Sequence, residues 1–264
     1  MPEFETPEPI TADIKLLAGT LQVIAGDRTA TTVEVRPRDA AKESDVRAAE
    51  QVEVAYAGGR LEVKEPHTSG LGRLLRKGMV DVTVELPAGS RLHAEVDYSG
   101  VRCEGPLGAS VITSTNGNIA VDRITGNAEL TTAHGWVRAG EIDGAAAVKS
   151  TTGTITLGAV TGELRANSAH GDITADRTLS SVTARTTHGS IRLGEVARGS
   201  VDLENSYGEL EIGVREGTAA WLDAVSKNGV VRSSLEAADD PAPTEETVEV
   251  RARSVHGDVI VHRS

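Results

Sequence analysis

Four histidines occupy one position of a recurring motif, each one residue before a glycine: His134, His170, His188 and His256. Imidazoles in a column suggest a metal site or a pH-responsive contact. His170 and His188 stand 18 residues apart, and Asp172 adds a carboxylate. Two imidazoles and one carboxylate are few for a closed metal site. The same position holds Asn116, Thr152, Tyr207 and Asn228. That mixture favours turn chemistry, because Asn and His tolerate the left-handed backbone that a residue before glycine often needs. We assign no metal and no cofactor from these residues. If the imidazoles stack, protonation would make them repel.

Carboxylates raise a second chemistry, glycoside cleavage, which needs two carboxyls facing each other across a cleft. Asp122 and Asp176 share one column, and Glu141 and Asp143 lie near another edge. None of them stands apart as a facing pair. Aromatic residues for sugar stacking make up only 2% of the chain. No G-x-S-x-G elbow, phosphate-binding loop or calcium-binding Gly-Gly-x-Gly-x-Asp turn occurs. No uniform Thr array suited to ice binding occurs either. The residues name no catalytic group, and the expectation is a protein that is not an enzyme.

A third feature is a contrast of sign. The chain carries a formal charge of -12, which disfavours nucleic acid and anionic membranes as partners. Yet Pro66 to Val80 holds Arg73, Arg76 and Lys77 with no acid among them. These three cations are candidates for docking an acidic protein partner. The plainer alternative is a solvated loop whose leucines cover the end of the fold. The single cysteine, Cys103, excludes an internal disulfide and reads as a small core residue.

What must position these groups is a repeat. Ser or Thr, two variable residues and Gly recur with Gly117, Gly135, Gly153, Gly171 and Gly189 every 18 residues. The spacing then loosens to Gly208, Gly229 and Gly257, with the hydroxyl of Asn205-Ser206-Tyr207-Gly208 shifted by one place. Two residues after each glycine stand Ile119, Val137, Ile155, Ile173, Ile191, Leu210 and Val231. Five before it stand Ile112, Leu130, Val148, Ala166, Ala184, Leu203 and Ala224. Such period-two alternation places one set of side chains on the buried face of a strand. Regular spacing over successive motifs predicts an all-β solenoid of coils of about 18 residues, whose inward hydroxyls bond to backbone or to the next coil.

The ends differ from the middle. Residues 1–97 read as a small β-rich N-terminal cap and lead-in strands. Within it, a short helix at Ser44–Glu50 is capped by Ser44 and shares a face between Val46 and Ala49, and a hairpin turns at Gly58-Gly59. Residues 98–235 are the solenoid. Residues 236–247 form an acidic linker, and 248–264 form a strand pair that closes the solenoid as its last coil.

The Ser-x-x-Gly repeats from Ser114 to Gly257, the Val82–Leu86-Pro87-Ala88-Gly89 segment and the opening Glu5–Gly26 together resemble a bacterial β-strand-repeat family. This is the toast-rack family of unknown function that carries an adhesin label. Gly217-Thr218-Ala219-Ala220-Trp221-Leu222-Asp223 resembles its actinobacterial members. The resemblance covers nearly the whole chain and implies the solenoid fold, with no catalytic residues. The resulting expectation is a non-enzymatic binding scaffold for a protein partner, with oligomerisation open. The alternatives are an envelope or cell-surface adhesin and a carbohydrate-active enzyme. The acidic start and the lack of an apolar stretch point to the cytoplasm, with surface display by an unrecognised route as the alternative.

Overall fold

The computed structural model describes residues 2–66, 78–235 and 246–264. Arg73, Arg76, Lys77 and nearly all of the acidic linker therefore lie outside the described residues. The chain divides into two compact units, Met1–His134 and Gly135–Ser264. The division falls inside the repeat run rather than at residue 97. The reason is the long strand Arg91–Leu107, which pairs with Thr11–Gly26 over thirteen rungs and joins the first repeats to the N-terminal strands.

In the first unit, Thr11–Gly26 runs parallel to Arg60–Lys64, Val80–Pro87 and Arg91–Leu107. Ser110–Asn116 and Ala128–His134 extend the parallel array. Among the described residues, antiparallel pairing is confined to the N-terminal cap. There Ala30–Pro37 meets both Glu3–Glu5 and Val80–Pro87, and the hairpin Glu53–Ala57 to Arg60–Lys64 turns on Gly58 and Gly59 at positive φ. Ile14, Leu21, Leu61, Leu86, Leu92 and Ile112 fill this core.

The cap's helix spans Glu43–Gln51, one residue longer at each end than the sequence suggests. Lys42 holds the N-cap position without a side-chain bond, and Ser44 instead donates to Asp45. The buried face is Asp45 and Ala48, not Val46 and Ala49. Packing decides this. A Cβ at Gly78 would lie 2.6 Å from the Ala48 Cβ, so only glycine admits the helix so close. Asp45 Oδ1 accepts the Met79 amide at 3.1 Å. Burial opposes ionisation of Asp45, but that amide, Ser44 and Lys42 together hold its carboxyl below the usual range.

The second unit is wholly parallel, and its strands form two ladders. One runs Ala146–Thr152, Leu164–His170, Val182–His188 and Gly199–Tyr207. The other runs Val137–Ile142, Ile155–Val160, Ile173–Thr178, Ile191–Val196 and Leu210–Val214. Each 18-residue coil thus gives one strand to each ladder. The inward columns, including Ile155, Leu157, Leu164, Ile173, Ile191 and Leu203, are fully buried.

The end of the array departs from chain order. Glu246–His256 pairs with Gly199–Tyr207 on one side and with Thr218–Asn228 on the other. Val259–Arg263 likewise lies between Leu210–Val214 and Val231–Ser233. The C-terminal strand pair is therefore inserted, and residues 218–233 form the outermost coil. This corrects the expectation that 248–264 closes the solenoid. Burial explains the order. Val248, Val250, Ala252, Val259 and Val261 are at most 2% exposed, whereas Val231 of the outer coil is 44% exposed and its neighbour Ser233 is polar.

Candidate functional site

Several Ser-x-x-Gly turns are held by two bonds that tie one coil to the next. The inward hydroxyl donates back to the preceding glycine carbonyl: Thr132 to Gly117 at 2.9 Å, Ser150 to Gly135 at 3.3 Å and Thr186 to Gly171 at 3.1 Å. Asn205 takes this role with its amide, donating to Gly189 and Gly208. The motif is thus not shifted at that coil, since Asn205 pairs in register with Thr186. The glycine amide in turn donates forward to the residue before the next glycine: Gly153 to His170, Gly171 to His188, Gly189 to Tyr207 and Gly208 to His256.

These bonds fix the backbone of every residue in the histidine column. Parallel register then gives neighbouring side chains the same direction, so their rings stack. His170 and His188 have centroids 4.9 Å apart and planes 3° apart. Tyr207 lies 5.1 Å from His188 at 5°, and His256 lies 4.8 Å from Tyr207 at 4°. The last contact exists only because the C-terminal coil is inserted. Thr152 and Asn228 flank the stack in the same column. All four rings are exposed, Tyr207 by 50%. Ring faces are spent on one another, so ring edges meet the surroundings.

The column's turn chemistry differs from the expectation. No described residue other than glycine has positive φ, and the glycines themselves carry it: Gly153 at 139°, Gly171 at 151° and Gly189 at 150°. His170 and His188 are brought side by side, but not with Asp172 in a shared coordination geometry. Face-to-face imidazoles hold their lone pairs in parallel planes, which cannot converge on one tetrahedral ion. Asp172 Oδ1 accepts the Ser190 amide at 2.8 Å. Among the described residues, no group of three His, Cys, Asp or Glu is placed to hold a metal.

Two clefts contain titratable groups. In the first unit, a groove of about 550 Å³ is lined by Asp13, Lys15, Arg60, Glu62, Lys64, His93 and Glu95, among others. Asp13 forms its floor, paired to Arg60 Nε at 2.6 Å and to His93 Nδ1 at 3.2 Å. Lys15 meets Glu95 at 2.8 Å and Lys64 meets Glu62 at 2.7 Å. An Asp–His pair orients an imidazole, and in a nucleophilic triad that imidazole faces a hydroxyl or thiol. The residue beside His93 in the next strand is Val111.

In the second unit, Glu141, Asp176, Arg177 and Glu195 line a cleft of about 530 Å³. Glu141, Ala159, Arg177 and Glu195 are successive rungs. Glu141 and Glu195 thus stand three rungs, about 14 Å, apart. A carboxylate pair that cleaves glycosides is separated by about 5–9.5 Å.

The sequence did not single out the outermost coil, whose signal is apolar residues at positions that alternate outward. Trp221 is 60% exposed, Val225 47% and Val230 51%. Among the described residues, no helix is long and apolar enough to cross a membrane. Cys103 is a buried free thiol. Burial, with help from the nearby Asp122 charge, pushes it up to about 12.

No curated protein matches the chain. Solved structures resemble the chain at low identity. A putative lipid binding protein from Parabacteroides distasonis ATCC 8503 is 12% identical, with a TM-score of 0.51 over 97% of this chain and 95% of that one. A putative adhesin from Bacteroides fragilis NCTC 9343 is 14% identical, with a TM-score of 0.47 over 98% of this chain and 95% of that one. The pattern of the Toastrack DUF4097 family matches residues 13–262. With its parallel coils, its Ser-x-x-Gly turns and a match over nearly its full length, the chain belongs to the toastrack DUF4097 family.

Proposed function

We propose that this toastrack chain is a non-enzymatic scaffold that binds a protein partner through the ring stack of its second unit. The observation that carries this reading is the exposed alignment of His170, His188, Tyr207 and His256. Rings already ordered by backbone bonds lose little conformational entropy on binding, and their edges offer hydrogen bonds at a fixed repeat. In sequence, Arg73, Arg76 and Lys77 supply a cationic contact for an acidic partner.

The test is photo-crosslinking in the native host, with a reactive group placed at the exposed Thr187, beside His188 of the stack and outside the outermost coil. The wild-type chain yields one dominant crosslinked protein. A variant with His170, His188, Tyr207 and His256 all changed to Ala loses that product while keeping its melting temperature within a few degrees. An unchanged product removes the stack from the account. Protease added to intact cells locates the partner: protection places it inside, and digestion favours the envelope-adhesin reading.

A further inference from the structure

The outermost coil leaves a strand edge open. Thr218–Asn228 bonds to Glu246–His256 on one side, and no described strand lies on its other side. An eleven-residue edge with exposed apolar side chains is a template for another strand, and native proteins cover or charge such edges. This one is lightly defended. The coil from Gly217 to Leu235 carries Asp223, Lys227 and Arg232, one net positive charge in a chain of -12. Asp223 is already held by Arg253 and Arg232 lies 3.7 Å from Asp258, while Lys227 has no ion-pair partner among the described residues.

The sequence of this edge is self-complementary about one residue. Trp221, Asp223, Val225 and Lys227 alternate along the outer face. In an antiparallel pairing centred on Val225, Val225 meets itself and Asp223 meets Lys227 of the other copy. At the ends of the paired stretch, Trp221 reaches Gly229, the aromatic-over-glycine pairing that protects edge glycines. Opposite charges and apolar pairs directly across antiparallel strands are both favourable. A two-fold interface needs this kind of self-matching patch.

We propose that residues 222–228 of two copies pair antiparallel about a two-fold axis at Val225, making the chain a homodimer through its outermost coil. The interface covers Val225 and Trp221, the most exposed outward apolar residues of that strand. It also gives the free backbone groups of the edge their partners, which a solvated edge leaves to water. The patch lies on a local surface that lacks the acidic repulsion of the rest of the chain.

The test uses the full chain and its oligomeric mass. Sedimentation at high micromolar concentration should give twice the chain mass for wild type and the single-chain mass for Val225→Lys, which sets two ammonium groups against each other. Diluted until both are monomeric, the two proteins should melt alike, since Val225 is half exposed. The register is tested separately. Val225→Cys should form a disulfide-linked dimer on mild oxidation, because directly opposed strand residues fall within disulfide range, about 4.5–5.5 Å between Cα atoms. Trp221→Cys should not, since its own copy would lie eight residues, roughly 26 Å, along the strand. Buried Cys103 contributes no crosslink. A monomeric wild type overturns the proposal. So does a larger assembly, or equal crosslinking at Trp221→Cys and Val225→Cys.

Discussion

Replacing Gly171 by Ala tests whether glycine is required by the stacking of coils or only by the turn. Gly171 has φ of 151°, and a Cβ there would lie 2.2 Å from the Gly153 carbonyl oxygen. A carbon and a carbonyl oxygen need about 1 Å more, so one coil step must open. Opening it strains the amide bonds from Gly153 to His170 at 2.9 Å and from Gly171 to His188 at 2.8 Å. Backbone strain at such φ costs about 1–3 kcal/mol, and weakening two backbone bonds adds about 1 kcal/mol each. The expected loss is thus about 3–5 kcal/mol, a large share of a domain's usual ~5–15 kcal/mol. Gly217 is the control, because its φ is +76° yet nothing lies within 4 Å of its Cβ position. Gly217→Ala should cost only about 1 kcal/mol. The assay is urea unfolding of both variants, compared at a shared slope. Losses within about 0.5 kcal/mol of each other would refute the close-approach argument and leave only the turn.

Other expectations follow from the same geometry. Ser168 Oγ is buried without a protein partner, unlike Ser226, whose hydroxyl donates to Gly257 at 2.8 Å. Ser168→Ala should therefore be neutral or stabilising, while Ser226→Ala should lower the unfolding free energy measured in urea by about 1 kcal/mol; the reverse order would contradict the bond assignment. Cys103, pushed up to about 12, should resist iodoacetamide at pH 8 in the folded chain and react once per chain in denaturant. The Arg28 guanidinium, 2.6 Å from Glu85, holds that carboxyl below its ordinary value. A depressed carboxyl stabilises the fold above its unfolded value, and that stability is lost as pH falls through the folded one. Melting temperature should accordingly drop as pH falls below about 4.5, and Glu85→Gln should flatten that drop modestly, since the pair is about one-third exposed. An identical pH slope in Glu85→Gln would show that the pair contributes nothing.

Much of this was legible in the residues. The 18-residue spacing dictates register, because a slip of one residue would turn every Ile and Val outward. The buried columns at Ile155, Ile173 and Ile191 follow directly. The order of the last two coils was not legible from motif spacing, since Ser226-Lys227-Asn228-Gly229 and Ser254-Val255-His256-Gly257 are equivalent turns. A subtler signal was present. The coil of Val248, Val250, Ala252, Val259 and Val261 is aliphatic at every inward place but the turn residue Ser254, whereas the other offers Ala220, Leu222, Ala224 and Ser233. Greater apolar content selects the inner place. With that order unread, Tyr207 pairs with Asn228 in sequence, and the ring stack ends at three members instead of four. The helix face was misread for a different reason. Helical periodicity alone ranks Val46 above Asp45, but the amide of Met79 and the bare backbone of Gly78 arrive from another element and decide it.

The inserted coil also imposes an order on synthesis. Residues 218–233 leave the ribosome before 246–263, yet every strand bond they make is to the later segment. The outer coil must wait, with Trp221 and its valines bare, until the final strands have emerged. A chain cut after residue 235 would retain a complete outer-coil sequence and bare the edge of Gly199–Tyr207, which offers the same register but would receive Ala220, Ala224 and Ser233 where Val248, Ala252 and Val261 belong. Residues 246–264 thus act as a completion signal, and a chain lacking them would reveal itself by an outer coil that is misplaced or weakly held, which ordinary domain boundaries would not predict.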